Sequence, residues 1–292
     1  MIYLPLNILR QVFQKRMAGR LTLFKQSGKT MLENLYSMNG KICVVTGGSS
    51  GLGSYMAQGF LEAGAARVYI TARSEDKLKA KAEELSALAD GECIPMPGDL
   101  STIEGIQALA NALKDKENHI DVLVNNAGVG TGGSFADMKP EVWDMTMDLN
   151  LRSPVFVTQA LLDLLKANAS HEDPTRVIFT SSVAASENHA HVMAYSTSKN
   201  AVEKMTPLLA LALCDDHILV NTIAPGAFYS EMTRNTWEDP DRFKALLERI
   251  PAHRWGGLED MAGVVVMLCS RAGSYFTGEV LNLDGGHRLT FG

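Results

Sequence analysis

The chain has 292 residues, 46% of them hydrophobic and 21% charged, the make-up of a globular protein with room for one large α/β domain or two small ones. Its net charge of −6 gives no bulk attraction to nucleic acid, and no apolar run reaches the roughly 18 residues that cross a membrane. The four cysteines (Cys43, Cys93, Cys214, Cys269) form no C-x-x-C pair and three lie in apolar segments, which reads as free thiols in a reducing, cytoplasmic compartment.

Residues 1–38 form a leader. They carry six basic side chains (Arg10, Lys15, Arg16, Arg20, Lys25, Lys29) against Glu33, net +5, so the rest of the chain carries −11 of the total −6. Ile2, Leu6, Leu9, Phe13 and Met17 make a rough helical stripe. A membrane-surface helix or an organelle transit peptide fits this pattern; so does an extension without function, since Arg20 falls on the apolar face. The folded domain is expected over 39–292. Short β-branched runs predict strands at 42–46, 67–71, 93–96, 122–124, 176–180, 218–223 and 280–283. Helical patterns lie between them at 52–63, 76–88, 102–116, 140–148, 154–167, 194–213 and 260–269. This alternation predicts a single doubly wound, Rossmann-like α/β domain, its parallel sheet covered by helices on both faces. Pro207 is a misfit inside the long helix, where it should kink the helix or remove a hydrogen bond.

The first strand ends in Thr46-Gly47-Gly48-Ser49-Ser50-Gly51-Leu52-Gly53 and runs straight into a helix. Glycines there let the backbone approach a pyrophosphate, and the helix N-terminus supplies N–H groups and the positive end of its dipole. An NAD site usually places an acid about 20 residues further on, to bond the ribose 2′-hydroxyl. This chain has Arg73 there and no acid between Tyr69 and Ser74, which favours the 2′-phosphate of NADP(H). Further along, Tyr195 and Lys199 stand at i and i+4 on a predicted helix, and Ser182 follows the fifth strand. A lysine ammonium beside a phenol is expected to lower the tyrosine pKa and fit it for proton transfer.

In their order along residues 40–288 these elements resemble the short-chain dehydrogenase/reductase family, in its standard single-domain branch. The resemblance rests on Thr46-Gly47-x3-Gly51-x-Gly53, Gly98-Asp99-Leu100-Ser101, Asn125-Asn126-Ala127-Gly128, Asn150 followed by Ser153, Ser182, Tyr195-x3-Lys199, Pro225-Gly226 and Asp284-Gly285-Gly286. It implies that Tyr195 is the proton donor in reduction, that Lys199 holds the nicotinamide ribose and depresses the Tyr195 pKa, that Ser182 bonds the substrate oxygen, and that Asn150 fixes a water leading from Lys199. It also implies cofactor contacts from Gly47, Ser49, Ser50, Gly51, Leu52, Gly53, Arg73, Asp99, Leu100, Asn126, Tyr195, Lys199, Pro225, Gly226 and Phe228, and assembly as a homodimer or homotetramer.

Within the family the likeness is to bacterial β-ketoacyl reductases, especially the rhamnolipid-pathway type, through residues 224–234 and 250–256. It implies reduction of a 3-oxoacyl thioester. Residues 228–250 read as a substrate lid whose apolar members (Phe228, Met232, Trp237, Phe243, Leu246, Leu247, Ile250) either line an acyl pocket or pack the lid. The acids of His171-Glu172-Asp173 and Cys214-Asp215-Asp216 stand where fatty-acid-synthesis relatives tend to be basic. Like charge would oppose an acidic acyl carrier protein, so a CoA thioester or another small ketone gains weight. Two other readings remain: a reductase of another ketone or secondary alcohol, and a dinucleotide-binding protein without catalysis, although such proteins usually lack the Tyr or the Lys. His189-x-His191 has no third ligand at convincing spacing, so no metal is expected.

Overall fold

The computed structural model describes residues 30–291; the amphipathic stripe of the leader lies outside them. The first element is a short helix, α1 (Met31–Leu35), with no buried residue. Met38 is fully buried and its N–H bonds Ala63 O at 2.9 Å, so the core begins one residue before the expected domain start. Then strands and helices alternate: β1 (Ile42–Thr46), α2 (Gly51–Glu62), β2 (Arg67–Ala72), α3 (Glu75–Ser86), β3 (Glu92–Pro97), α4 (Ile103–Lys114) and β4 (Val122–Asn125). After β4 come α5 (Pro140–Met147), a π-helical turn (Asp148–Arg152), α6 (Ser153–Ala160), α7 (Leu162–Lys166) and β5 (Thr175–Thr180). The chain closes with α8 (Met193–Leu213), β6 (Ile218–Pro225), the short lid helices α9 (Arg234–Trp237) and α10 (Pro240–Glu248), α11 (Leu258–Cys269) and β7 (Val280–Leu283).

The seven strands form one parallel sheet in the order β3-β2-β1-β4-β5-β6-β7. The order reverses between β1 and β4, and at such a switch point the loops part to leave a crevice at the carboxyl edge. Every residue of β1 is buried. Its alternation feeds two cores: Cys43 and Val45 pack toward α2, α3 and α11, and Ile42 and Val44 toward α4, α6 and α8. Cys43, Cys93 and Cys269 are buried free thiols, and Cys214 is exposed.

Three details bear on the sequence reading. The expected helix at 154–167 breaks at Leu161 into α6 and α7, and the π-helical turn before it has no signature in composition. Helix α8 runs on through Pro207, forgoing only the hydrogen bond that residue would donate. The adjacent Thr206 hydroxyl ties the helix to β6 through Thr222 at 2.5 Å. Finally, the acids at 171–173 and 215–216 precede β5 and β6, at the amino edge of the sheet and opposite the crevice. Asp173 and Asp216 are there paired with Lys41 (2.5 Å) and Lys166 (2.7 Å). Within one chain they therefore stand away from the crevice.

Helix α2, which presents the Gly-rich turn, is seated on α11 at Gly59: a Cβ there would stand 2.8 Å from Ala262 Cβ and 3.0 Å from its Cα. Overpacking of this kind costs about 1–3 kcal/mol, while replacing a mid-helix glycine by alanine returns about 1 kcal/mol. Ala262 has no side chain to swing away, so the clash should win. Gly59→Ala is expected to lower stability by about 1 kcal/mol, read as a lower urea midpoint at unchanged slope. An equal or higher midpoint would mean that the two helices separate freely.

Candidate active site

A cleft of about 930 Å³ opens at the carboxyl edge of the sheet. One end is walled by Thr71 of β2, by Arg73 and Ser74 just after it, and by Gly98, Asp99 and Leu100 after β3. Its middle is the turn after β1 (Gly47, Ser49, Ser50, Gly51, Leu52) facing Asn126, Ala127 and Gly128. The other end holds Thr180, Ser181 and Ser182 of β5 and its loop, Tyr195 and Lys199 of α8, and Pro225, Gly226, Phe228 and the lid residues 230–233. Every expected site residue lines this cleft except Gly53 and Asn150.

Those two act from behind the wall. A Cβ on Gly53 would lie 2.2 Å from Gly47 O, so only glycine lets the helix enter this close to the turn, while Gly47 itself takes a left-handed φ of 68°. The N-cap Ser50 makes no side-chain cap. The N–H groups of Gly51 and Leu52, at the mouth of a 12-residue helix, are thus left for an anionic ligand. Asn126 bolts the turn in place. Its N–H bonds Thr46 Oγ1 at 2.9 Å, its Nδ2 bonds the carbonyls of Thr46 (3.0 Å) and Gly47 (3.2 Å), and its Oδ1 accepts from Thr180 at 3.3 Å.

At the Arg73 end, Asp99 Oδ1 accepts from Ser101 N–H (2.9 Å) and Ser101 Oγ (2.8 Å). These bonds, with a smaller contribution from the Arg73 charge, hold its carboxyl below the usual range. Arg73 is exposed and has no ion pair among the described residues. A left-handed turn glycine, an uncapped helix end and an unpaired guanidinium at the far wall together suit a phosphorylated dinucleotide.

At the other end, Lys199 is buried and its Nζ donates to Thr180 O at 2.8 Å, 5.8 Å from the centre of the Tyr195 ring. The Ser182 side chain hydrogen-bonds the Tyr195 phenol. Asn150, carried by the π-helical turn, uses both amide donors and accepts one bond: Nδ2 bonds Val129 O (3.0 Å) and Ser198 Oγ (3.1 Å), and Oδ1 accepts from Val129 N–H (2.8 Å). It backs on Gly128, where a Cβ would stand 3.0 Å from Asn150 Oδ1 and 3.4 Å from Lys199 Nζ. π-Helical turns recur at functional sites because they displace one side chain from the helical register, here that of Asn150.

The expected effect of Lys199 on Tyr195 is corrected. Burial raises the Tyr195 pKa above its ordinary value, and the Ser182 hydrogen bond offsets only part of that. Burial likewise pushes Lys199 down to about 8, so its charge is gone at the pH where a phenol ionises. The i, i+4 spacing fixes proximity and says nothing of desolvation.

Of the lid's apolar residues, Phe228 and Met232 line the cleft. Trp237 and Phe243 join an aromatic cluster with Tyr229 and Trp255, Phe243 stacking on Trp255 at 5.5 Å, and Ile250 is buried. The lid's apolar residues therefore divide between those that line the cleft and those that pack the lid. Val129, Leu149, Ser74, Ser230, Glu231 and Thr233 also line the cleft without having been singled out. They share no motif and meet only in the fold. His189 and His191 are exposed with rings 5.8 Å apart, and no group of three metal-ligating side chains occurs among the described residues.

Residues 47–288 match the family model described as enoyl-(acyl carrier protein) reductase. The rhamnolipids biosynthesis 3-oxoacyl-[acyl-carrier-protein] reductase of Pseudomonas aeruginosa is 43% identical over 255 residues, 87% of this chain and 98% of that one. A solved structure described as the Pseudomonas aeruginosa RhlG/NADP active-site complex superposes with a TM-score of 0.84 at 42% identity, covering 87% of this chain and 99% of that one. A 2-dehydro-3-deoxy-D-gluconate 5-dehydrogenase of Escherichia coli is 34% identical over 88% of this chain and 98% of its own length.

Proposed function

Because the chain belongs to the short-chain dehydrogenase/reductase family, we propose that it is an NADPH-dependent reductase of 3-oxoacyl thioesters. The observation that carries the reading is one continuous cleft with Arg73 at one end and Ser182, Tyr195 and Lys199 at the other. Val129, Leu149, Phe228 and Met232 at the reactive end give an acyl chain apolar wall. Bound there, NADPH supplies the hydride that reduces the carbonyl carbon.

The protein's own part is to bind, orient and protonate. The uncapped α2 N-terminus and Arg73 take the phosphates. Ser182 Oγ holds the carbonyl oxygen beside Tyr195 Oη, which gives it a proton as negative charge develops. The raised pKa keeps that proton on the phenol throughout the neutral range. The Lys199 ammonium, fixed by Thr180 O, steadies the phenolate left behind. Asn150 holds Val129, and with it the wall opposite Lys199. A homodimer or homotetramer is the proposed assembly; Phe156 on α6 and Leu208 and Leu211 on α8 are exposed apolar residues that a second copy would cover. Three buried thiols suit a reducing, cytoplasmic compartment. Among the described residues no helix is long and apolar enough to cross a membrane.

The test is a steady-state panel: with NADPH, 3-oxoacyl groups of increasing length on CoA and on acyl carrier protein; with NADP+, 2-dehydro-3-deoxy-D-gluconate, whose 5-hydroxyl would give up the hydride. Thioester reduction is expected. Turnover of the sugar acid alone would move the substrate to the class named for the Escherichia coli relative. Run from pH 6 to 10, kcat/KM for reduction should fall as pH rises through about 8, where Lys199 loses its proton and its charge. A profile flat to pH 9 would remove Lys199 from that role.

A further inference from the structure

One lid side chain reaches across to the opposite wall beside the reactive end of the cleft. Met232 stands on the lid's first turn, and its Sδ and Cγ lie 2.9 and 3.0 Å from where a Cβ on Gly130 would stand. The lid therefore touches the opposite wall at this point, beside the cleft that holds Ser182 and Tyr195. The gap exists because residue 130 has no side chain; any other residue there would compete with the thioether for the same space.

The two walls are firm. Gly130 sits between Val129, bonded at both its N–H and its carbonyl by Asn150, and Thr131, whose hydroxyl meets Thr146 Oγ1 at 2.9 Å. On the lid, Thr233 N–H bonds Ser230 Oγ (3.3 Å), Ser230 N–H bonds Thr233 Oγ1 (3.1 Å), and the Thr233 hydroxyl donates to Phe228 O (2.7 Å). Phe228 is buried. Between these anchored backbones the movable part is an unbranched thioether with three rotatable bonds, 55% exposed. A substituent on the substrate carbonyl that extends past Gly130 must turn this side chain out of the gap, and a short one need not.

We propose that Met232, against the bare backbone of Gly130, is the gate that selects substrates by the length of the acyl chain on the reacting carbonyl. This rests on the reading of the protein as a carbonyl reductase. Met232→Ala empties the gap and Gly130→Ala fills it from the other side, so the two act in opposite directions and the double variant restores the balance.

The experiment measures kcat/KM with NADPH for acetoacetyl-CoA and 3-oxodecanoyl-CoA, and in parallel for 2,3-butanedione and 2,3-decanedione. NADPH titration by fluorescence confirms that each variant is folded. Met232→Ala is expected to raise the long-to-short ratio about fivefold or more, and Gly130→Ala to lower it by a similar factor, the scale on which a few methylenes are discriminated in an apolar pocket. The double variant should return to within about twofold of the unmodified protein. Should Gly130→Ala fail to fold, Met232→Trp fills the same gap from the lid and carries the opposite sign. Ratios that stay put, or that move the same way in both single variants, overturn the gate. A protein that reduces the diketones and no thioester loses the thioester reading while the diketone ratio still decides the gate. A protein that reduces neither pair loses both.

Discussion

Tyr195→Phe is expected to lower kcat for carbonyl reduction by about a thousandfold, within the 10²–10⁴ range of a positioned general acid. That factor corresponds to about 4 kcal/mol of transition-state stabilisation. The change removes only the Oη and leaves the half-buried ring in place, so the fold and the NADPH site should survive. Ser182 remains within reach of the substrate oxygen, yet a serine hydroxyl that donates a hydrogen bond leaves an alkoxide without a proton. Lys199 does not replace the phenol, because its Nζ is directed to Thr180 O. The loss should therefore fall on kcat, with KM and NADPH affinity changed by about twofold at most. A variant that keeps more than a tenth of the original kcat while binding NADPH normally would remove Tyr195 from the proton-donor role.

The desolvation of that phenol is also where sequence and structure part. Tyr195, Lys199 and Ser182 were legible as a group because helix periodicity and the end of a β-branched run place them. The strand Ile42–Thr46 has the same bounds in both readings, since a fully buried parallel strand shows as an uninterrupted apolar run. The sign of the Tyr195 shift was not legible: it depends on how many distant segments cover the ring. The displaced register at Asn150 was hidden for another reason, as a π-helical turn contains the same residues as an α-helical one. The place of Asp173 and Asp216 was legible in principle. Residues that precede strands of a parallel sheet share its amino edge, and the crevice lies at the other. Met232 and Gly130 meet from segments about a hundred residues apart, and only folding joins them.

Arg73→Ala is expected to cost NADPH about tenfold in affinity or more and to leave NADH within about twofold, shrinking the preference between them by the difference. A charge-assisted bond to a phosphate contributes about 1.5–3 kcal/mol, which is about 10- to 150-fold. Arg73 is exposed at the end of β2, where solvent and salt screen it, so the lower end applies. The same screening gives a second signature: the NADPH preference of the unmodified protein should fall between 0.05 and 0.5 M salt, and that of the variant should barely move. Arg73→Lys should retain part of the preference, since an ammonium keeps the charge and loses the planar fork. Removing Arg73 also takes one cation from beside Asp99, whose carboxyl is held down mainly by Ser101, so the Asp99 turn should persist. Fluorescence titrations with both nucleotides at two salt concentrations read all of this. If the two affinities fall by the same factor, Arg73 shapes the cleft wall without reading the 2′-phosphate, and the discrimination must come from elsewhere along that wall, with Ser74 the next polar side chain in line.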